Sequence, residues 1–338
     1  MTDVQKSFKL LPGIGLSVLI AIAAVYIEMI LPGHYIGATV IAMFLGIFLR
    51  TLYYDADRLQ EGVQFASKKI LKGAIILLGA SLNFSIILEV GGQTLLVLVF
   101  TLLTAFGGGY FLGKLFNINW KLSNMIAAGT AICGGSAIAA LAPVIEAEDS
   151  DVSYAISSTF LFDVLMIILY PIIGTLLSLS DTFFGYWAGT SINDTSSVVA
   201  ASFAFSEMAG EVATMVKLTR TLAIIPTVLI FSTIYFNKKR KQPERRKSKV
   251  SYRGLIPWFI LFFVLMALLN SIGMISPEIS GAMKTVSRFL MVVALAAIGL
   301  KTNLSVFIKT GMKPFIHGFV LSSLVVLVSY AVVLFIIG

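Results

Sequence analysis

Long apolar segments recur along the whole chain, and this repetition limits what the chain can fold into. Hydropathy divides the sequence into eleven such segments, most of them near the roughly 20 residues that cross a bilayer core. They cover residues 10–31, 36–54, 69–88, 93–113, 124–146, 152–178, 183–205, 212–236, 254–275, 284–307 and 315–337. Only 12% of the residues are charged, against about 25% in soluble domains. We therefore predict a single all-α polytopic membrane domain, residues 1–338, with about eleven transmembrane segments.

Positive charge is concentrated in the loop of residues 237–253. Nine Lys or Arg residues and one acid, Glu244, lie between Lys238 and Arg253, so this loop alone accounts for the net charge of +8. Basic loops between spans mark the cytoplasmic side of a membrane and can contact anionic lipid headgroups. A basic cluster without a folded context does not indicate nucleic-acid binding, so we expect no nucleic-acid partner.

This loop also orients the chain. If all eleven segments cross the membrane, the N-terminus and the 237–253 loop are cytoplasmic, and the C-terminus is outside. The same count places Lys114 and Lys121 inside and the acidic residues from Glu146 to Asp151 outside.

Two polar stretches inside apolar segments resemble each other. Residues 127–145 and 187–205 share six identities in nineteen positions, and polar backbone survives at membrane depth only where it lines a cavity or is buried in protein. A weaker similarity, four identities in twenty-one positions, relates residues 68–88 to 288–308. Paired Gly-interrupted segments point to the binding site of a transporter built from inverted repeats. We therefore predict broken or re-entrant helices and inverted repeats.

The direction of these stretches leaves an alternative open. If residues 183–205 cross the membrane fully, the two polar stretches lie two crossings apart and run in the same direction, which an inverted duplication does not explain. A re-entrant hairpin at 183–205 is the other interpretation.

The first polar stretch is rich in glycine, which lets a helix break and lets the backbone approach a ligand. Broken helices present bare N–H groups and a positive dipole end, which suit an anion. Close packing of helices through small residues is the structural alternative. The candidate substrate-binding residues here are Gly129, Thr130, Cys133, Gly134, Gly135 and Ser136.

The second polar stretch carries hydroxyl and amide groups. Its candidate substrate-binding residues are Gly189, Thr190, Ser191, Asn193, Thr195 and Ser196. A buried loop with a purely structural hydrogen-bond network is the alternative. Asp194 is a candidate ion-coupling residue, because it could carry a proton, or it could join Asn193 in binding sodium through oxygen atoms.

Three further ionisable residues lie inside apolar segments. Asp163 is about 16 Å from Val152 along a helix, and an ionisable residue at that depth indicates function by default, here ion coupling. Lys217 and Arg220 share one helical face and are candidates for attracting an anion. The alternative is a structural ion pair between these cations and Asp163.

Catalytic and metal-binding patterns are not visible in the sequence. It has no cluster of metal ligands, no paired nucleophile and base, and no phosphate-binding Gly-Lys-Ser motif. We therefore expect neither an enzyme nor a cofactor.

The central motifs resemble those of the YeiH-type family of bacterial membrane proteins, which carry the label of sulfate exporters. The matching stretches are Gly129-Thr-Ala-Ile-Cys133-Gly-Gly-Ser136-Ala, Pro143-Val-Ile145, Ala-Gly189-Thr-Ser-Ile-Asn193-Asp194-Thr-Ser196-Ser-Val-Val-Ala-Ala and Val216-Lys217-Leu-Thr-Arg220. The resemblance covers essentially the whole chain. That family more often has His at the position of Asn193, so a titrating histidine is not expected here.

The resemblance implies a fold. The family is distantly similar to bile-acid/sodium symporters and sodium/proton antiporters, which have a core domain with unwound helices and a separate panel or dimerisation domain. It implies a multi-pass protein of the bacterial inner membrane, and by analogy a homodimer.

The leading hypothesis is a secondary active transporter that moves a small anion, such as sulfate or a sulfonate, by alternating access with proton or sodium coupling. A cation/proton antiporter and an ion channel are the alternatives. An antiporter would need no anion, and a channel would need no coupling ion.

Overall fold

The computed structural model describes residues 3–30, 38–52, 59–240, 258–301 and 312–337. Every regular element in these ranges is helical, which confirms the all-α class. Most of the predicted basic loop at 237–253 lies outside the described residues. The helices form two compact units. The first contains Met1–Leu88, Phe203–Phe205 and Trp258–Ser305, and the second contains Glu89–Ser202, Ser206–Pro257 and Val306–Gly338.

Six helices in the described residues are long and apolar enough to cross a membrane. They are Leu10–Ile30, Phe84–Leu115, Ser150–Leu176, Glu207–Asn237, Pro277–Lys301 and Met312–Ile337. Three shorter apolar helices are Ile41–Arg50, Thr195–Phe205 and Trp258–Ser271. A multi-pass membrane protein is therefore the architecture, but the predicted number of eleven spans is not confirmed.

The first unit is built on close contacts between helix backbones. Its helices are α1 (Asp3–Ile30), α2 (Ala38–Leu52), α3 (Gln60–Phe65), α4 (Leu71–Gly79), α13 (Trp258–Ser271) and α14 (Pro277–Lys301), with a π-helical segment, Ala66–Ile70, joining α3 to α4. Gly46 of α2 lies against Gly299 of α14, and a Cβ on Gly299 would be 2.1 Å from the carbonyl oxygen of Met43.

Hydrogen bonds set the direction of α4 and α14 within this unit. The Ser287 hydroxyl donates to the Ala74 carbonyl at 2.6 Å, and the Ser280 hydroxyl donates to the Ala80 carbonyl at 3.0 Å. The numbering rises on one helix as it falls on the other, so α4 and α14 run antiparallel. The similar segments 68–88 and 288–308 therefore run in opposite directions, as an inverted repeat requires, although residues 302–308 lie outside the described residues.

The second unit contains seven helices and most of two more, α5 and α10. They are α5 (Phe84–Leu115, whose first turn groups with the first unit), α6 (Trp120–Ala128), α7 (Gly135–Leu141), α8 (Asp149–Leu176), α9 (Asp181–Ser191), α10 (Thr195–Phe205), α11 (Glu207–Thr221), α12 (Ile224–Arg240) and α15 (Met312–Ile337). A π-helical segment, Gly129–Cys133, extends α6. The polar stretches of the sequence fall at the junctions of α6 with α7 and of α9 with α10.

The chain turns back on itself between α6 and α7. The Asn119 amide donates to the Asp151 carboxylate at 3.0 Å, and a Cβ on Gly129 would be 3.0 Å from the Thr159 methyl group. These contacts pair α6 with α8 in the same direction. Because α7 connects two parallel neighbours, it must return the chain, so α6 and α7 form a re-entrant hairpin.

The chain turns back again between α9 and α10. A Cβ on Gly185 would be 2.7 Å from Val212, and one on Gly189 would be 2.7 Å from Val216. Helix α11 therefore runs parallel to α9, and α10 must return the chain between them. Residues 183–205 form a second re-entrant hairpin instead of a crossing, which corrects the eleven-crossing topology.

The two hairpins have opposite directions. Helix α8 runs antiparallel to α9, because Asp163 binds the backbone of Asn193 while Tyr170 binds Ser191 and stacks on Trp187. Since α6 is parallel to α8, α6 is antiparallel to α9. The hairpin-plus-span pairs α6–α7–α8 and α9–α10–α11 are thus inverted copies, which reconciles the sequence similarity with an inverted repeat.

The hairpin also corrects the placement of the acidic residues after α7. The Lys121 ammonium donates to the Glu146 carbonyl at 2.5 Å, and the Tyr235 hydroxyl donates to the Glu146 carboxylate at 3.1 Å. Glu146 and Asp151 therefore lie at the same end of the unit as Lys121. The prediction that they lie on the opposite side was wrong, because it counted residues 124–146 as a crossing.

Cysteine labelling tests the second hairpin. In a variant whose native cysteine is removed by Cys133→Ala, Asp181→Cys and Glu207→Cys should react with a membrane-impermeant maleimide from the same face of oriented vesicles. They lie at the starts of the parallel helices α9 and α11.

Glu148→Cys is the matched control for that experiment, because it precedes α8 and should react from the other face. Labelling of positions 181 and 207 from opposite faces would show that residues 183–205 cross the membrane.

Candidate functional site

The first hairpin reverses at Gly134. Helix α6 begins with an N-cap, in which the Asn119 side chain accepts a hydrogen bond from the Leu122 N–H at 2.8 Å. Its last turn widens into the π-helical segment, which closes when the Gly134 N–H donates to the Gly129 carbonyl at 2.8 Å. Gly134 then has φ 61° and ψ −129°. Any residue with a Cβ atom is strained in this backbone conformation, and only glycine adopts it readily. Glycine at this position is therefore what permits the turn.

The second hairpin reverses through an extended segment. Helix α9 ends at Ser191, and Ile192 and Asp194 have extended backbone. The Asp194 carboxylate then caps α10 by accepting hydrogen bonds from the Ser196 N–H, at 2.9 Å, and from the Ser196 hydroxyl. Asp is a preferred N-cap residue because its oxygen satisfies a free N–H of the first turn.

The two turns meet. A Cβ on Gly134 would be 3.4 Å from the Cα of Asp194, and these residues occupy equivalent positions in the sixty-residue repeat of the sequence. Equivalent residues of antiparallel copies touch where their two-fold axis passes. The approximate two-fold axis of the second unit therefore runs between Gly134 and Asp194.

Lys217 of α11 joins the two turns. Its ammonium group donates to the carbonyl of Ile132 at 2.8 Å, to that of Ile192 at 2.9 Å and to that of Asn193. Lys217 is fully buried, and its three N–H donors have three acceptors. The carbonyls come from both hairpins, so one cation holds the two C-terminal helix ends together.

Arg220, one helical turn further along α11, continues this arrangement. Its guanidinium group donates to the carbonyl of Ala131 at 2.6 Å, to that of Ile192 at 3.0 Å, to that of Thr130 and, at 3.5 Å, to that of Gly189. It is also fully buried. The last carbonyls of a helix have no partner within the helix, and here the two cations supply those partners.

Asp163 of α8 binds the N–H groups of the second turn, whereas the two cations bind its carbonyl groups. Its two carboxylate oxygens accept from the N–H of Asn193 at 2.8 Å and from the N–H of Asp194 at 2.9 Å. Asp163 is 1% exposed. Negative charge thus lies at the N–H groups that precede α10, and positive charge at the carbonyls that end α6 and α9, as helix dipoles favour.

Helix α15 lies against the junction of the two turns and contributes hydroxyl groups that the sequence analysis did not identify. Ser322 lies 3.3 Å from the Thr130 hydroxyl and accepts from the Asn193 amide at 3.3 Å, while Ser329 lies 2.5 Å from the Thr190 hydroxyl. Two serines seven residues apart share one helical face, and that spacing in an apolar segment was the available signal. The Oδ1 atom of Asn193 is buried without a hydrogen-bond partner among the described residues.

Aromatic side chains around α9 were also missed. The Tyr170 ring stacks on Trp187 with 4.2 Å between ring centroids, and its hydroxyl lies 2.5 Å from that of Ser191. The Trp187 indole N–H donates to the Val326 carbonyl of α15 at 3.1 Å. These contacts fix the hairpin arm that carries Ser191.

The predicted site residues divide into a buried part and an accessible edge. Ser136 is exposed, while Gly135, Asp194, Thr195 and Ser196 are half-buried. The remaining predicted residues are buried: Gly129, Thr130, Cys133, Gly134, Asp163, Gly189, Thr190, Ser191, Asn193, Lys217 and Arg220. The buried part holds the backbone of the two turns, and the hydroxyl groups and the carboxylate of the edge carry the exposed surface of the site.

Two inverted, broken helical hairpins that meet inside a multi-pass helical unit define a transporter-like membrane protein. The chain belongs to the family described as Conserved hypothetical protein 698, whose model matches residues 12–318. This membership agrees with the YeiH-type resemblance of the motifs.

The chain is similar to proteins named UPF0324 membrane protein. One, from Clostridium tetani (strain Massachusetts / E88), is 51% identical over 329 residues, which cover 95% of each chain. Another, spyM18_1033 from Streptococcus pyogenes serotype M18, is 41% identical over 328 residues, covering 95% of this chain and 96% of that one. A third, from Streptococcus mutans serotype c, is 37% identical over 318 residues, covering 92% and 93%.

Gly134→Ala should destabilise the protein by about 1–3 kcal/mol, because alanine disfavours the positive φ at the turn. The melting temperature of the detergent-purified protein measures the effect. Gly135→Ala is the matched control: a Cβ there would meet nothing within 4 Å, so its melting temperature should equal or exceed that of the wild type. Equal melting temperatures for the two variants would contradict the assigned turn.

Lys217→Met should cost at least about 2 kcal/mol, since it leaves the buried carbonyls of Ile132 and Asn193 without a partner at roughly 1–3 kcal/mol each. The Ile192 carbonyl keeps its bond from Arg220. The midpoint of chemical unfolding in detergent measures this loss. The control Lys313→Met changes an exposed lysine and should stay within about 0.5 kcal/mol of the wild type. A Lys217→Met variant as stable as this control would mean that the carbonyls do not depend on the cation.

Proposed function

We propose that the protein is a secondary active transporter of a small anion, such as sulfate or a sulfonate, and that it works by alternating access coupled to protons or sodium. The observation that carries the proposal is the contact between Gly134 and Asp194, where two inverted hairpins reverse. Discontinuous helices from inverted repeats form the substrate sites of secondary transporters.

The accessible edge is where the cargo would bind. Ser136 and Thr195 offer hydroxyl donors there, and hydroxyl groups bind oxyanions without carrying charge. The Ser196 hydroxyl already donates to Asp194. The other predicted binding residues support this edge from beneath. Lys217 and Arg220 attract an anion through their charge and not by contact, because backbone carbonyls accept their hydrogen bonds.

A cation/proton antiporter is the second candidate, and one observation favours it. Four charged groups lie at the junction of the two turns. Lys217, Arg220 and Asp163 are buried and bonded to backbone, whereas Asp194 is half-buried. An accessible carboxylate suits a cation better than an anion.

The remaining expectations stay predictions. They are the absence of enzymatic activity, the homodimer, the contact with membrane lipid, the bacterial inner membrane with a cytoplasmic N-terminus, and the ion-channel alternative.

Flux into liposomes tests the proposed function. Vesicles with the purified protein should take up radiolabelled sulfate or methanesulfonate in exchange for the same unlabelled anion inside, and protein-free vesicles should not. Exchange of this kind is expected of a carrier that reorients with bound substrate.

The other functions give different results in the same vesicles. Proton movement driven by a sodium or lithium gradient, with gluconate as the anion and without anion exchange, would identify an antiporter. Unitary currents in planar bilayers would identify a channel.

A further inference from the structure

The four charged side chains at the junction of the two turns have no net charge when all of them are ionised. Lys217 and Arg220 contribute two positive charges, and Asp163 and Asp194 contribute two negative charges. In a membrane interior, a net charge without compensation is costly. When an ion binds at this site, a change in charge at one of these four groups, or a second ion, must therefore compensate its charge.

The two cations cannot supply that change without disrupting the hairpins. Together they bind six carbonyl oxygens, three from each hairpin: Thr130, Ala131 and Ile132 of the first, and Gly189, Ile192 and Asn193 of the second. Removing or turning away either cation leaves buried carbonyls unpaired, at roughly 1–3 kcal/mol each.

Asp163 is fixed for the same reason. Each of its oxygens already accepts from a backbone N–H of the second turn. Binding a proton or a metal cation there would neutralise the negative charge that strengthens both of these buried hydrogen bonds, and would weaken them. Its bonds instead make it a permanent part of the turn.

Asp194 differs from the other three groups in burial and in bonding. It is half-buried, and a single oxygen, Oδ2, accepts both hydrogen bonds from Ser196. Asn193, the preceding residue in the chain, has a buried Oδ1 without a hydrogen-bond partner among the described residues, so this turn has unused acceptor capacity for a positively charged or hydrogen-donating ligand.

The groups that face Asp194 come from three elements. Cys133 of the π-helical segment and Lys217 of α11 interact electrostatically with it, and Asp163 of α8 binds its N–H. Arg220 lies one turn beyond Lys217. A thiol adds no formal charge, so the neutralisation of Asp194 leaves two positive charges against one negative charge.

We propose that Asp194 is the coupling residue: a single monovalent cation, a proton or sodium, neutralises its carboxylate, and the resulting net charge of +1 is balanced by one monovalent oxyanion such as a sulfonate. This rests on the proposed anion transport and assigns its stoichiometry and its class of substrate. A dianion such as sulfate would leave one negative charge unbalanced at the same site. The two ligands therefore bind cooperatively, each raising the affinity for the other.

The binding of methanesulfonate to the purified protein, measured by calorimetry, tests the coupling. With a proton as the coupling ion, affinity for the anion should fall as pH rises, by up to about tenfold per pH unit for one proton per anion. With sodium, affinity should rise by up to tenfold for each tenfold increase in sodium concentration at constant pH. Asp194→Asn should abolish whichever dependence the wild type shows while still binding methanesulfonate.

Two features make this variant interpretable. Asn is as good an N-cap as Asp, so α10 should keep its cap, and Asp194→Ser supplies a second neutral cap if Asp194→Asn does not fold. Asp181→Asn is the matched control, because Asp181 is an exposed residue in the first turn of α9. It should keep the full wild-type dependence.

The outcomes separate this inference from the function on which it rests. An Asp194→Asn or Asp194→Ser protein that keeps the wild-type dependence on pH or sodium overturns the assignment of Asp194. Wild-type binding that is independent of both ions, or sulfate binding tighter than methanesulfonate binding, also overturns it but leaves an anion transporter. Vesicles that exchange neither anion while sodium drives proton movement reject the anion transporter itself, and the inference with it.

Discussion

The pairing of two buried cations with six backbone carbonyls is the interaction on which the rest of the site depends. Each hairpin reverses in the middle of an apolar unit and so leaves carbonyl groups without helical partners. A bilayer supplies no water to bind them. Lys217 and Arg220 bind three carbonyls from each hairpin, so these carbonyls of the broken helices are paired in the absence of water.

The same interaction explains why the site is built from inverted copies. Helices α6 and α9 approach each other from opposite directions, and their C-terminal ends meet at one place. Two negative dipole ends would repel each other, but positive charge between them stabilises both. Asp163 does the converse for the N–H groups of the second turn. Lys217, Arg220 and Asp163 can be buried because hydrogen bonds to backbone groups of opposite polarity offset the cost of removing each charge from water.

The sequence predicted where the two helix breaks lie but not the topology around them. Gly134 and the polar residues from Asn193 to Ser196 pointed to the two turns, because polar or irregular backbone in an apolar segment must line a cavity or be buried in protein. The crossing count was wrong because hydropathy measures apolar length, and a hairpin of two short helices has the same length as a span. The parallel direction of α6 and α8 follows from contacts between residues that are distant in sequence, and a local sequence pattern does not reveal such contacts.

The roles of the charged residues were harder to predict than their importance. Lys217, Arg220 and Asp163 were selected correctly as buried ionisable residues that meet at one site. The sequence suggested that they bind one another or a ligand, since side-chain charge is visible in it. Their actual partners are main-chain groups, which every residue has and which the sequence therefore cannot single out. Ser322 and Ser329 were overlooked because isolated serines are common in apolar helices.

An experimental map of the protein in lipid nanodiscs, at a resolution that shows carbonyl oxygens, tests the central claim most directly. The account predicts density that joins the Lys217 ammonium to the carbonyls of both Ile132 and Ile192, with Arg220 beside it on the backbone of the same two hairpins. A Lys217 side chain paired with the Asp163 carboxylate, or bound to one hairpin alone, would contradict it.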